Sequence, residues 1–318
     1  MKLKKNRKTA LIIGSGVIGA YLSKLLLKKR LNIVVTTRNL KKNYKNYKKL
    51  KIQNKVNFKK LNILKKKQIK KIIILVKPDY IFYFAGVSSM TESFKKPKET
   101  LQSNYTGAKN FLEVLYDLKS KIKFFKANSA YIFDKEKIKL NSKLTKQKNP
   151  YISSQIKSYK LVKKFRQKLI NSYSLIFFNI ESPLRRDEFF IKKICKAVKL
   201  INNNNFKKIS VGSLSTVKDY GWAPEIVEGI YLSTKLEKAC DILFGTGHPM
   251  SGKDILKFAF NIKKLNYKKH IKVDPRFFRK NEKKVMIAEI NETIKKLMYK
   301  WKPKIHGKKL IIKMYKSF

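Results

Sequence analysis

The 318-residue chain carries 77 Lys and Arg against 20 Asp and Glu, a formal net charge of +57, yet 43% of it is hydrophobic and 12% aromatic. That apolar share excludes a disordered polycation, and the length allows one large or two modest globular domains. Cys195 and Cys240 are the only cysteines, which excludes a disulfide framework and a zinc pattern, and no apolar run reaches the roughly 18 residues of a membrane span.

The charge admits two readings. Nucleic acid or an anionic membrane is one. The other is biased base composition: the cations are nearly all Lys, spread along the whole chain, and Asn and Ile, also products of A/T-rich codons, are abundant. A dedicated phosphate reader would favour the bidentate fork of Arg, of which there are only eight. The expectation is therefore no specific nucleic-acid partner and no membrane association, with weak non-specific attraction to polyanions. His248, His270 and His306 are scattered, and no metal site is expected.

In chain order, the apolar run Ala10–Ile13 leads into Gly14, Gly16 and Gly19, spaced G-x-G-x-x-G, and then into a helical pattern through Ile18, Tyr21, Leu22, Leu25 and Leu26. This predicts a buried strand, a tight turn and a helix with a bare N-terminus. Amides over Gly14, Ser15, Gly16, Val17, Ile18 and Gly19 would then grip a dinucleotide diphosphate. The basic start followed by an apolar stretch imitates a signal peptide, but the glycines and the amphipathic helix fit a nucleotide-binding strand better, so a cytoplasmic location is expected.

A second strand is predicted at Leu31–Thr36. Thr36, Thr37 and Arg38 follow, where NAD enzymes usually place an acid on the ribose 2′-hydroxyl; the hydroxyls and cation favour a 2′-phosphate, hence NADP, with NAD the alternative. Residues 39–55 read as a loop, Val56–Leu61 as a strand, with Asn62 beyond it assigned to the cofactor set, and Lys65–Val76 as a helix. Strand Tyr80–Phe84 runs into Ala85, Gly86 and Ser88, small residues suited to a cofactor crevice. A long helix over Glu92–Leu118 and a strand Ile122–Lys126 ending in Ala127-Asn128-Ser129 follow. Asn149-Pro150-Tyr151 opens a helix through Phe165, and Ser174–Asn179 is a sixth strand.

Beyond Pro183 the pattern becomes helices with short strands: Phe189–Leu200, Lys208–Val211, Pro224–Thr234, Asp241–Phe244, Gly252–Phe260, and a last helix Ile290–Tyr299 before Trp301-Lys302-Pro303. The expected fold is α/β: a doubly wound parallel sheet of Rossmann type with a smaller, mostly helical C-terminal lobe. Residues 1–179 would be the NADP-binding domain and 180–318 the substrate lobe, partly interleaved with it.

A glycine turn, a Ser at a strand end and a Tyr opening a helix together resemble the extended short-chain dehydrogenase/reductase superfamily. Three later segments resemble GDP-mannose 4,6-dehydratases in particular. Asn179-Ile180-Glu181-Ser182-Pro183-Leu184-Arg185 is similar to their N-H-E-S-P-x-R, and Val217-Lys218-Asp219-Tyr220-Gly221-Trp222-Ala223-Pro224 to their R-D-W-G-x-A segment. Val273-Asp274-Pro275-Arg276-Phe277-Phe278-Arg279 with Glu282 resembles V-D-P-R-Y-F-R-x-x-E, and Trp301-Lys302-Pro303 matches a closing W-K-P.

The resemblance implies an internal redox dehydration of a GDP-sugar. A Tyr phenolate takes the 4-hydroxyl proton, NADP+ takes the C4 hydride, a carboxylate removes the C5 proton and expels the 6-hydroxyl, and the hydride returns to C6. Tyr151 matches the Tyr and Ser129 the residue bonding the sugar 4-oxygen. Arg185 matches a cofactor-lining residue, and Asn179, Lys193, Lys218 and Arg276 form the substrate side. A homodimer or homotetramer is implied. Ile180 replaces the family's His beside the cofactor, Lys218 stands where the family has Arg, and two further departures fall on the catalytic positions. Tyr131 stands where the carboxylate belongs, and Gln155 replaces the Lys of Y-x-x-x-K, which lowers the phenol pKa and holds the nicotinamide ribose. Gln155 can still bond that ribose but brings no charge. Tyr159 with Lys163 also fits Y-x-x-x-K literally and is a competing assignment.

Overall fold

The computed structural model describes residues 6–40, 44–201, 208–278 and 282–318. Among these, fourteen strands follow one another: β1 (Thr9–Ile13), β2 (Asn32–Thr37), β3 (Asn57–Lys60), β4 (Tyr80–Tyr83), β5 (Lys123–Ser129), β6 (Lys137–Ile138), β7 (Ser172–Phe177), β8 (Asn179–Glu181), β9 (Ile209–Val211), β10 (Val217–Trp222), β11 (Asp241–Phe244), β12 (Pro249–Ser251), β13 (Ile271–Val273) and β14 (Val285–Ala288). Seven form one parallel sheet in the order β11-β7-β5-β4-β1-β2-β3, with helices on both faces. Covered on both sides, β1, β2 and β4 are buried at every residue, as a doubly wound sheet requires. Aromatic rings stack across the strands: Phe82 on Phe125 at 5.0 Å and Phe125 on Tyr173 at 4.5 Å between centroids.

Chain order reverses between β1 and β4, which opens a crevice at their C-terminal ends. The glycine turn lies there. Gly14 has φ +103°, and a Cβ on it would stand 2.9 Å from the Ala85 backbone nitrogen; one on Gly19 would stand 2.8 Å from the Gly14 carbonyl oxygen. Both glycines are therefore required by the turn itself.

A smaller five-stranded sheet, with path β12-β10-β14-β6 and β8 paired to β10, lies beyond, together with the β13-β9 pair. Its anchor is Asp219, fully buried in β10. Its carboxylate accepts from Thr246 N and Oγ1 at 2.8 and 2.7 Å, Gly247 N at 2.8 Å and Ala288 N at 3.3 Å.

Several elements differ from the sequence-based expectation. The helix expected over Glu92–Leu118 breaks at Lys96, whose backbone (φ −134°, ψ 60°) is extended away from the helical region by the following Pro97. A π-turn over Gln102–Thr106 then aims Asn104 inward, and the helix resumes at Gly107–Asp117. Within the expected loop 39–55, a short helix Lys45–Lys49 buries Tyr47 completely; residues 41–43 lie outside the described residues. Asp241–Phe244 is no part of a separate lobe: it is the seventh strand of the main sheet, paired with β7. The helix preceding it, Ala223–Ser233, also returns to that body, packing on the Val17–Lys28 helix. The last helix is not Ile290–Tyr299, which shortens to Asn291–Lys296, but Gly307–Lys316, whose Leu310, Ile311 and Met314 join the lobe core.

Candidate active site

One cleft of about 1810 Å³ runs from the glycine turn across the crevice to the second sheet. That exceeds the few hundred to 1,000 Å³ typical of a single small-molecule pocket, leaving room for two ligands end to end. Gly14, Ser15, Gly16, Val17, Ile18, Gly19, Arg38, Asn62, Ala85, Gly86, Ser88, Gln155 and Arg185 all line it, as do Ser129, Tyr131 and Tyr151 and, from the lobe side, Asn179, Lys193 and Lys218.

At the glycine end the Val17–Lys28 helix starts with Gly16 at its N-cap, no side-chain cap and no acid in its first turn, so its amides and positive dipole end face the cleft. A Cβ on Gly16 would meet nothing within 4 Å: the space above it belongs to the cleft. These residues fit a dinucleotide diphosphate, which is held by such amides at such an approach. Arg38, largely exposed, donates to Glu99 at 2.9 Å at the rim.

At the centre, Asn149 caps the Pro150–Gln167 helix by accepting from Ile152 N at 2.8 Å, which presents Tyr151 to the cleft. Burial pushes the Tyr151 phenol above its ordinary value, while a hydrogen bond with Ser129 and the charge of Arg185 pull it down. Tyr159 does not line the cleft; its hydroxyl donates to Asp241 Oδ2 at 2.8 Å, so the Tyr159/Lys163 alternative is excluded as the cleft pair. Gln155 is buried beside Tyr151's helical turn.

On the lobe side, Asn179 Nδ2 donates to the Asp219 carbonyl at 3.1 Å, and Lys193 Nζ donates to the Ser210 carbonyl at 2.6 Å, 5.1 Å above the Phe277 ring. Lys218 is buried, donates to the Lys283 carbonyl, and stands 3.8 Å from Glu282 and 5.6 Å above the Tyr131 ring. Arg276, expected among the substrate residues, does not line the cleft. Its side chain is 85% exposed and folds back on Asp274, donating to that carboxylate from its own backbone N at 3.0 Å and from Nη2 at 2.7 Å. Asp274 prefers this partner two residues away, and Phe277 and Glu282 reach the cleft instead. Arg279 lies outside the described residues.

Two cleft residues escaped sequence reasoning. Glu181, quoted only as part of a motif, is buried with Arg185 at 3.9 Å and one carboxylate oxygen unpaired among the described residues; burial raises its pKa. Lys126 is almost completely buried at the foot of the cleft. The sequence signal for it was present: a Lys inside the otherwise uncharged run Phe124–Ser129 of a buried strand.

A seven-stranded parallel sheet with a glycine-cradled crevice, and a Ser and a Tyr facing each other across it, defines an extended short-chain dehydrogenase/reductase of the epimerase/dehydratase group. Solved structures share this fold: UDP-glucose 4-epimerase from Thermus thermophilus in complex with NAD (TM-score 0.80, 17% identity, 97% of this chain and 99% of that one) and UDP-glucuronic acid 4-epimerase from Bacillus cereus (TM-score 0.82, 16% identity, 97% and 98%). More narrowly, the chain belongs to the GDP-mannose 4,6-dehydratase family, whose model matches residues 11–314. Similar members include GDP-mannose 4,6 dehydratase 1 of Arabidopsis thaliana, 29% identical over 74% of this chain and 66% of its own length. The C. elegans GDP-mannose 4,6 dehydratase 2 is 25% identical over 100% of this chain and 90% of its own, and the human enzyme 25% over 98% and 92%.

Proposed function

We propose that the chain is an NADP-dependent nucleotide-sugar enzyme of the GDP-mannose 4,6-dehydratase type, acting in the cytoplasm as a homo-oligomer. The observation that carries this reading is the single cleft in which the glycine-turn amides, the Ser129–Tyr151 pair and the lobe-side Asn179, Lys193 and Lys218 converge. The glycine turn would hold the cofactor diphosphate, with Arg38 and the Thr36–Thr37 strand end facing a 2′-phosphate. Bound there, the nicotinamide supplies a hydride acceptor and donor. Ser129 would hold the sugar 4-oxygen by a hydrogen bond, and the Tyr151 phenol would exchange a proton with it. Asn179, Lys193 and Lys218 would offer a hydrogen bond and two cations to the substrate diphosphate.

A second reading has one specific support. Tyr131 stands where dehydration calls for a carboxylate, so the Tyr151 half of the chemistry can run alone, as a reductase or epimerase. Incubation with GDP-mannose and NADP+ separates the two. A 4-keto-6-deoxy product supports dehydration; no product, with saturable NADP(H) protection against heat, supports the second reading. Absence of any NADP(H) or NAD(H) binding by the folded protein rejects both.

A further inference from the structure

Beneath Tyr151 lies a group of polar atoms that the proposed chemistry leaves unused. Phe124, Lys126 and Asn128 alternate onto one face of β5. On the Pro150–Gln167 helix, Gln155, Ser158 and Val162 are spaced i, i+3, i+7 and so share one stripe. Val162 and Phe124 belong to the same core cluster, which lays that stripe along that strand face. The helix starts at the cleft and β5 ends there, so Lys126 and Asn128 come under Ser158 and Gln155.

All four of these side chains are buried. Gln155 Oε1, Ser158 Oγ and Asn128 Oδ1 each lack a hydrogen-bond partner among the described residues, Asn128 spending its Nδ2 on Ser174 Oγ at 3.1 Å. The Lys126 ammonium donates to the Ala127 carbonyl and sits 5.3 Å above the Tyr83 ring, and no described carboxylate forms a salt bridge with it. A buried ammonium so placed is a poor structural element, because an apolar chain of the same length would pack at lower cost. Lys126 also lines the cleft, together with Gln155 and Tyr151.

We propose that Lys126 supplies from the sheet the positive charge that the helix lacks at Gln155, forming with Asn128, Gln155 and Ser158 one ionisable chamber that opens on the cofactor side of Tyr151. This rests on the function proposed above. Burial alone holds the Lys126 amine down to about 7, so its charge is in play around neutral pH. The titratable group set against it is Tyr83 from β4; Tyr151 lines the same cleft with Arg185 as its charged neighbour, Tyr159 is turned to Asp241, and from β7 Ser174 meets Asn128. Lys126 is a positioning residue for Tyr151 and for whatever hydroxyls enter the chamber.

The test uses the full chain with ¹³C,¹⁵N-labelled lysine, the Lys126 signal being assigned by its loss in K126M. Q155E is expected to raise the Lys126 titration by at least about one unit, tenfold in proton affinity. K126M is expected to weaken NADPH binding about tenfold or more, and K126M/Q155K to return it to within about threefold of the parent. A Lys126 titration unmoved by Q155E overturns the proposal. So does a folded K126M whose NADPH affinity and its pH profile match the parent's, or a folded K126M/Q155K without recovery. A shift in Q155E in a protein that binds no NADP(H) upholds the chamber and rejects the enzyme reading instead.

Discussion

Gly14 and Gly16 of the opening turn have separable duties, and single residues test them. Gly14 is fixed by its own backbone: a side chain there meets positive φ and the Ala85 backbone together. G14A should cost about 2–4 kcal/mol of stability, read by urea denaturation. Gly16 has no such obligation, because its missing Cβ looks into the cleft. G16V should leave the melting temperature within a few degrees while reducing NADPH affinity at least about tenfold; equal losses of stability in both variants would refute the division of labour. Lys126 gives the opposite pairing of stability and function. An unfolded Lys holds its proton up to about pH 10.4, the folded Lys126 only up to about 7. Between those values the unfolded chain carries the extra proton, so the amine pulls toward unfolding, increasingly as pH falls from 10 to 7 and constantly below. K126M should therefore be more stable than the parent at pH 7, on the order of 2–4 kcal/mol, with the gap closing toward pH 10. A variant less stable at pH 7, or a gap independent of pH, would show the ammonium to be a structural asset.

Elements were legible where their signals were local. β1, β4 and the glycine turn are readable because buried parallel strands are continuous apolar runs, and the Tyr151 helix because Asn149-Pro150 caps it. The break at Lys96 is hidden in the sequence because periodicity continues through Pro97 while the backbone does not. β8, β10 and β14 are three to six residues long and exist through one another, so nothing within each announces it. The family-like motifs turn out to divide between site and scaffold. Trp301 of the closing motif donates to the Glu225 carbonyl at 2.7 Å and packs edge-on against Phe244, which makes it a clamp on the Ala223–Ser233 helix. Asp219 likewise serves the scaffold, tying β10 to the turn after β11 and to β14. D219A strands four donor groups on three residues and should cost about 3 kcal/mol or more, whereas loss at Arg276, whose partner among the described residues is Asp274, should change stability by less than about 0.5 kcal/mol. Guanidinium unfolding of both variants checks this; similar effects would contradict the assignment of Asp219 as the lobe anchor.

Across the whole molecule the dominant unbalanced quantity is charge. If every one of the 20 acidic residues were paired, 57 cations would still face only one another and solvent. A folded chain of this length has a radius of gyration of roughly 20 Å. Screening reaches about 30 Å at 0.01 M salt, so at low ionic strength each surface Lys feels most of the others; at 0.15 M it reaches about 8 Å, and only neighbours count. Folding concentrates these charges relative to the unfolded chain, so their repulsion opposes it. The exposed ion pairs do not compensate: Arg38–Glu99, Arg186–Glu188 and Lys66–Glu113 are exposed on at least one side and contribute little each. Raising NaCl from 0.01 to 0.3 M should therefore raise the melting temperature by several degrees and then level off as the screening length falls below the spacing of neighbouring lysines. The same physics separates codon-driven charge from a binding surface. Heparin or DNA should bind with an affinity that collapses over the same salt range and shows no preferred length or sequence. A melting temperature flat in salt, or polyanion binding that keeps a defined site size at 0.3 M, would mean that the lysines are arranged for a partner after all.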